Sequence, residues 1–164
     1  MSRTGLGLAL AAAVVLAQPV GAAPKPQLVD PKGDYPASGA DLVSALFTTQ
    51  KGKVVVVVEF AGAPNAPVPF AYQLRFTTDE GCNWRGHYFG STGEGSGGCT
   101  GSDASPPAVK LKGNTMTFTM AAKGALKPGT ELIGIAFTST PGGVLAGTPG
   151  GDEGRTETTY TVGK

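Results

Sequence analysis

The chain has 164 residues, with 13 basic and 12 acidic side chains and no long run of either sign, so nucleic acid and anionic membrane surfaces have no electrostatic footing on it. Only 15% of residues are charged, while 26 glycines and 13 prolines oppose long helices and favour strands joined by turns.

The N-terminus reads as an export signal. Met1, Ser2, Arg3 and Thr4 form a short positive start, residues 5–20 are a nearly unbroken apolar run, and Val20-Gly21-Ala22 has the form of a cleavage site. The run is about 16 residues long, short of the roughly 18 to 20 that a membrane-crossing helix needs. Residues 1–22 are therefore expected to be a signal peptide, residues 23–40 an extended Pro-rich leader and residues 41–164 the folded domain. Cleavage leaves about 142 residues, enough for one core, and removes Arg3, so the mature chain is close to neutral. The expected location is extracellular or in the cell envelope, with no membrane span after cleavage.

Period-two patterning dominates the rest of the chain. Residues 42–49 and 53–60 form a hairpin around Gln50-Lys51-Gly52, and five consecutive valines, Val54 to Val58, suit a strand at the centre of a sheet. Three prolines make residues 61–69 a loop or an edge. Phe70, Tyr72, Leu74 and Phe76 then alternate with Ala71, Gln73, Arg75 and Thr77, placing four large side chains on one face and a mixed polar set on the other.

Residues 86–90 suggest a short strand, and residues 108–112 and 115–120 a second hairpin with Met116, Phe118 and Met120 inward. One helical turn is expected within residues 121–126. Residues 131–140 form a strand with Ile133, Ile135 and Phe137 on one face, and residues 157–162 a last strand. The expected fold is all-β, an antiparallel two-sheet sandwich of the immunoglobulin-like or jelly-roll-like kind with about seven to nine strands.

Cys82 and Cys99 are the only cysteines, and in an exported chain their default state is a disulfide, which closes a loop worth about 3 kcal/mol of stability. Trp84, Arg85, His87 and Tyr88 lie inside that loop and include the molecule's only tryptophan and only histidine. An aromatic ring stacks on a pyranose while Arg and His bond its hydroxyls, so these four are the expected carbohydrate-binding residues. The competing reading has Trp84 packed against the disulfide as part of the core. A second group, Asp30, Asp34, Asp41 and Asp152, offers the oxygen ligands of a structural calcium site, against the ordinary reading of turn-forming aspartates. Gly93 to Gly98 satisfies G-x-G-x-x-G, but a cysteine stands next where a dinucleotide site needs a helix, so it is read as a mobile surface loop.

Several phrases carry a family resemblance: Asp30-Pro31-Lys32-Gly33-Asp34, Asp41-Leu42, Gly113-Asn114-Thr115-Met116-Thr117-Phe118-Thr119, Pro128-Gly129-Thr130 and Tyr160-Thr161-Val162. Together they resemble the secreted sandwich domains related to DOMON and the family 9 carbohydrate-binding modules. The resemblance implies a ligand-binding or accessory module, whose relatives bind sugars, haem or calcium. It also implies a haem alternative, a redox domain with His87 and either Met116 or Met120 as axial ligands.

No G-x-S-x-G elbow surrounds any serine, and one histidine leaves little for a catalytic triad. The expected function is a secreted, non-catalytic binding or accessory module with a polysaccharide or cell-surface partner. The alternative is a structural or protein-interaction domain of the cell envelope without a small ligand.

Overall fold

The structure is a computed structural model and describes residues 24–35, 41–64, 70–100, 106–141 and 152–163. The expected signal segment lies outside the described residues. The strands in chain order are β1 (Leu28–Val29), β2 (Leu42–Gln50), β3 (Lys53–Phe60), β4 (Phe70–Thr78), β5 (Asn83–Phe89) and β6 (Glu94–Cys99). They continue with β7 (Ala108–Lys112), β8 (Thr115–Ala121), β9 (Glu131–Pro141), β10 (Asp152–Arg155) and β11 (Tyr160–Thr161).

Two antiparallel sheets pack face to face, as the alternation predicts. One has the order β1-β2-β3-β8-β7, the other β10-β9-β4-β5-β6 with β11 beside β9. The valine run forms β3, central in the first sheet between β2 and β8. Val54, Val56 and Val58 are buried, and Val55 and Val57 half-buried, because a central strand is shielded along both edges as well as on its inner face. Met116, Phe118 and Met120 of β8 lie inside beside them. From the second sheet, Tyr72, Leu74 and Phe76 of β4 and Phe137 of β9 meet this layer through ring contacts such as Phe60 with Tyr72, 5.3 Å between centroids. The expected helical turn appears as one turn of 3₁₀ helix over Gly124–Leu126.

Four local expectations are corrected. The leader contributes β1, whose Leu28 is buried and pairs opposite Ala45, so the sandwich starts before residue 41. The glycine-rich run is strand β6, in register with β5 from Trp84↔Cys99 to Phe89↔Glu94, instead of a mobile loop. Ile133 does not share a face with Ile135 and Phe137: a β-bulge in β9 opposite Arg75 and Thr77 places Gly134 at φ +59, and Ile133 turns out to 37% exposure. The last strand is reduced to Tyr160–Thr161, and the eleven strands among the described residues exceed the expected seven to nine because short edge strands carry little periodic signal.

Two seams close the sandwich. At one, β10 approaches β1 and β2; a methyl group on Gly154 would overlap the side chains of Leu28 and Leu42. At the other, β6 approaches β7; added methyl groups on Gly95 and Gly97 would meet Val109 and the backbone of β5. Glycine at these positions lets the layers meet with no side chain between them.

Candidate cation centre and ligand face

Asp30 follows β1, Asp41 immediately precedes β2, and Asp152 opens β10, so the seam of β10 with β1 and β2 gathers three aspartates. The turn after β1 brings Asp34 back to them. One carboxylate oxygen from each of Asp30, Asp34 and Asp152 lies within 4.8 Å of the others. Asp41 holds the turn in place: its Oδ2 accepts the Gly33 N–H at 2.8 Å. Asp152 braces the seam, its Oδ2 accepting the Leu42 N–H at 2.6 Å. Three of the four residues proposed from sequence, Asp30, Asp34 and Asp152, are thus brought together, and Asp41 bonds the turn that carries Asp34.

The electrostatics of this site are those of an acidic cluster without a counter-charge. Asp41 is 2% exposed and its Oδ1 is buried with no hydrogen-bond partner, as is Asp30 Oδ2. Burial, then the charges of Asp152, Asp34 and Asp41, push Asp30 up from 3.8 to about 6. Burial likewise raises Asp152, opposed by the backbone N–H groups of Leu42 and Glu153 that its carboxylate accepts. No ion pair among the described residues reaches any of the four. Carboxylates that repel one another and keep buried lone pairs unsatisfied fit a hard divalent cation, and an all-oxygen donor set suits calcium over zinc.

The disulfide segment is arranged differently from expectation. Cys82 and Cys99 stand at disulfide distance, with Cα atoms 5.5 Å apart, at the open end of the β5–β6 hairpin. Between them β5 alternates, so the four expected ligand residues divide between its two faces. Trp84 is 1% exposed and stacks flat on Phe76, ring centroids 4.8 Å apart, filling the space over Gly86 where a Cβ would collide with the indole. Tyr88, 8% exposed, also faces inward beside Tyr72. Only Arg85 and His87 reach the outer face. A sugar platform of Trp84, Arg85, His87 and Tyr88 on one surface is therefore not assembled, because a regular strand sends neighbouring residues to opposite sides. The haem pairing fails on the same ground: Met116 and Met120 lie in the core, whereas His87 makes a 3.1 Å contact with the Gln73 amide on the outer face. Burial, then the charge of Arg85, lowers the His87 pKa and keeps it neutral at pH 7.

The outer face of this sheet contains residues that sequence reading did not single out as a site. Arg75 pairs directly with Arg85 on one side and Ala136 on the other, and Ala136 pairs with Arg155. Two clefts flank Arg75 and share Gly134 of the bulge. One, of about 390 Å³, lies between Arg75 and Arg155; the other, of about 210 Å³, lies between Arg75 and Arg85. Alternation in β4 did mark Gln73, Arg75 and Thr77 as the polar side of a strand. The register that aligns them with β5 and β10 has no trace in local sequence.

Compared with known proteins, the chain matches no family model, no curated protein and no solved structure.

Proposed function

We propose that this protein is an exported, non-catalytic binding or accessory module whose sandwich is closed at one seam by a calcium ion held by Asp30, Asp34, Asp41 and Asp152. The observation that carries the reading is the convergence of the Asp30, Asp34 and Asp152 carboxylates within 4.8 Å of one another, with Asp30 Oδ2 and Asp41 Oδ1 buried and unpartnered. A cation there satisfies the orphaned oxygens and cancels the repulsion that raises Asp30. The all-β sandwich and the disulfide support an extracellular or cell-envelope setting, in keeping with the N-terminal export pattern. The resemblance to DOMON and family 9 carbohydrate-binding modules is consistent with this fold class. His87 bonding to an amide instead of an acid supports a binding role over general-base chemistry.

Calorimetric titration with calcium and thermal melts with and without chelator test the cation. The intact protein is expected to release or absorb heat on binding and to melt higher with calcium, and Asp152→Asn to weaken binding about tenfold or more. An identical melt in calcium and in chelator, with no heat of binding, would remove the cation from this reading. Export is checked by N-terminal sequencing of the secreted protein, expected to begin at Ala23.

A further inference from the structure

We propose that the cleft between Arg75 and Arg85, on the outer face of the six-stranded sheet, binds the acidic group of a carboxylate- or sulfate-bearing saccharide. This rests on the binding-module reading above and names the ligand chemistry of that module.

Strand register puts two like charges together. Arg75 and Arg85 are directly opposed across β4 and β5, an arrangement that destabilises a sheet when both carry the same charge and nothing lies between them. Acidic neighbours relieve this only in part. Glu153 pairs with Arg75 but also accepts from Arg155 Nε at 2.7 Å, so one carboxylate is shared by two guanidiniums. Glu157 lines the wider cleft on the Arg155 side and is absent from the lining of the Arg75–Arg85 cleft. The Arg85 side chain is exposed and has no hydrogen-bond or ion-pair partner among the described residues.

The chemistry of the lining suits an anion. The cleft of about 210 Å³ is walled by Arg75 and Arg85, with Thr77 and Asn83 beside them and no acidic side chain in it. Thr77 donates its hydroxyl proton to Asn83 Oδ1 at 2.9 Å, which leaves both Nδ2 hydrogens of that amide to donate elsewhere. The polar groups available are therefore chiefly donors, two of them guanidiniums suited to forked bonding of an oxyanion. Gly134, at the bulge, leaves the floor bare.

The neighbouring residues point to what bears the anion. The next rung of the same face is Ser96, His87, Gln73, Thr138 and Glu153, a row of groups that bond hydroxyls. Among the described residues the large exposed apolar side chains are Val29, Leu111 and Ile133, of which only Ile133 lies on this sheet, so the exposed groups around the cleft are mainly polar. A polyhydroxylated chain bearing an acid matches both rungs.

Binding is measured by calorimetry on the intact protein at fixed calcium, with digalacturonate as the carboxylate probe, a sulfated disaccharide as the sulfate probe and maltose as the neutral one. At least one acidic probe is expected to bind more tightly than maltose, and which one does so separates carboxylate from sulfate as the source. Arg85→Gln is expected to weaken that binding about tenfold, the loss of a charge-assisted pair, while Lys110→Gln on β7 of the opposite sheet makes the same change in net charge without effect. Equal binding of all three probes, or equal weakening by the two variants, would overturn the proposal. Calcium titration of the unaltered protein keeps the two readings apart: a normal calcium response with no binding of either acidic probe rejects this cleft and leaves the cation centre standing.

Discussion

The two seams of the sandwich solve the same problem with opposite chemistry. Where β6 meets β7, glycines remove the side chains and the Cys82–Cys99 bridge clamps β6 to β5 of its own sheet, so the edge strand at this seam is held covalently and without charge. Where β10 meets β1 and β2, Gly154 again removes a side chain, but the loops around it carry four carboxylates. The first seam holds in any oxidising medium. The second holds in proportion to how well its charges are neutralised, so it is the place where solution conditions govern stability.

The largest effect that separates the seams comes from the bridge. Replacing both Cys82 and Cys99 by Ser is expected to lower unfolding free energy by about 3 kcal/mol in urea titrations, by the same amount with calcium as with chelator. A loss that depends on calcium would mean that the seams are coupled and the comparison is wrong.

Smaller changes probe the glycines. Gly97→Ala is expected to cost about 1–3 kcal/mol, because the new methyl group overlaps the Arg85 carbonyl and Gly86 Cα, which are backbone and cannot swing aside. Gly154→Ala falls against the flexible ends of Leu28 and Leu42 and is expected to cost less, while also weakening calcium binding because it displaces the strand that carries Asp152. Chemical denaturation paired with calcium titration reads both quantities.

The most subtle effect is that of pH. Asp30 is held at about 6 in the calcium-free protein, above its ordinary 3.8, so the folded state binds this proton more tightly than the unfolded chain. The resulting stabilisation is fully present below about pH 4 and is lost as pH rises through about 6. Calcium-free protein should therefore gain from this group on acidification from pH 7 to 5, whereas calcium, which binds the ionised carboxylates, should lose its stabilising effect over the same interval. His87 acts in the opposite sense in this window, since its lowered pKa makes the folded state the weaker proton binder. It lies on β5, three strands from β10, so it contributes equally to both curves. The gap between calcium and chelator melts is the quantity to track, and it should narrow towards pH 5.

Legibility in the sequence was a matter of range. Alternation in residues 70–78, the valine run and the hairpin at Gly113-Asn114 are local signals, and each gave an element close to its observed position. The four aspartates also stand out, as short acidic side chains among glycines and prolines in a chain with few charges, and three of them meet in the fold. The face of Trp84 was left between a sugar platform and a place in the core, and the structure bears out the second. Read by composition, Trp84, Arg85, His87 and Tyr88 are one aromatic and basic group; read as a strand, they are two inward and two outward residues. Recognising β6 as a strand was out of reach, because a segment dominated by glycine has low intrinsic strand preference and is tolerated only where the opposing sheet edge comes too close for side chains.

The sequence by itself determined the fold class, the position of the main strands and which residues could chelate a cation, because side-chain type and period two are properties of neighbouring residues. Only the tertiary structure decided that Asp30 meets Asp152, that Trp84 faces the core and that Arg75 stands opposite Arg85. Those are consequences of strand order and register, set by burying both inner faces at once, and no single segment contains that information.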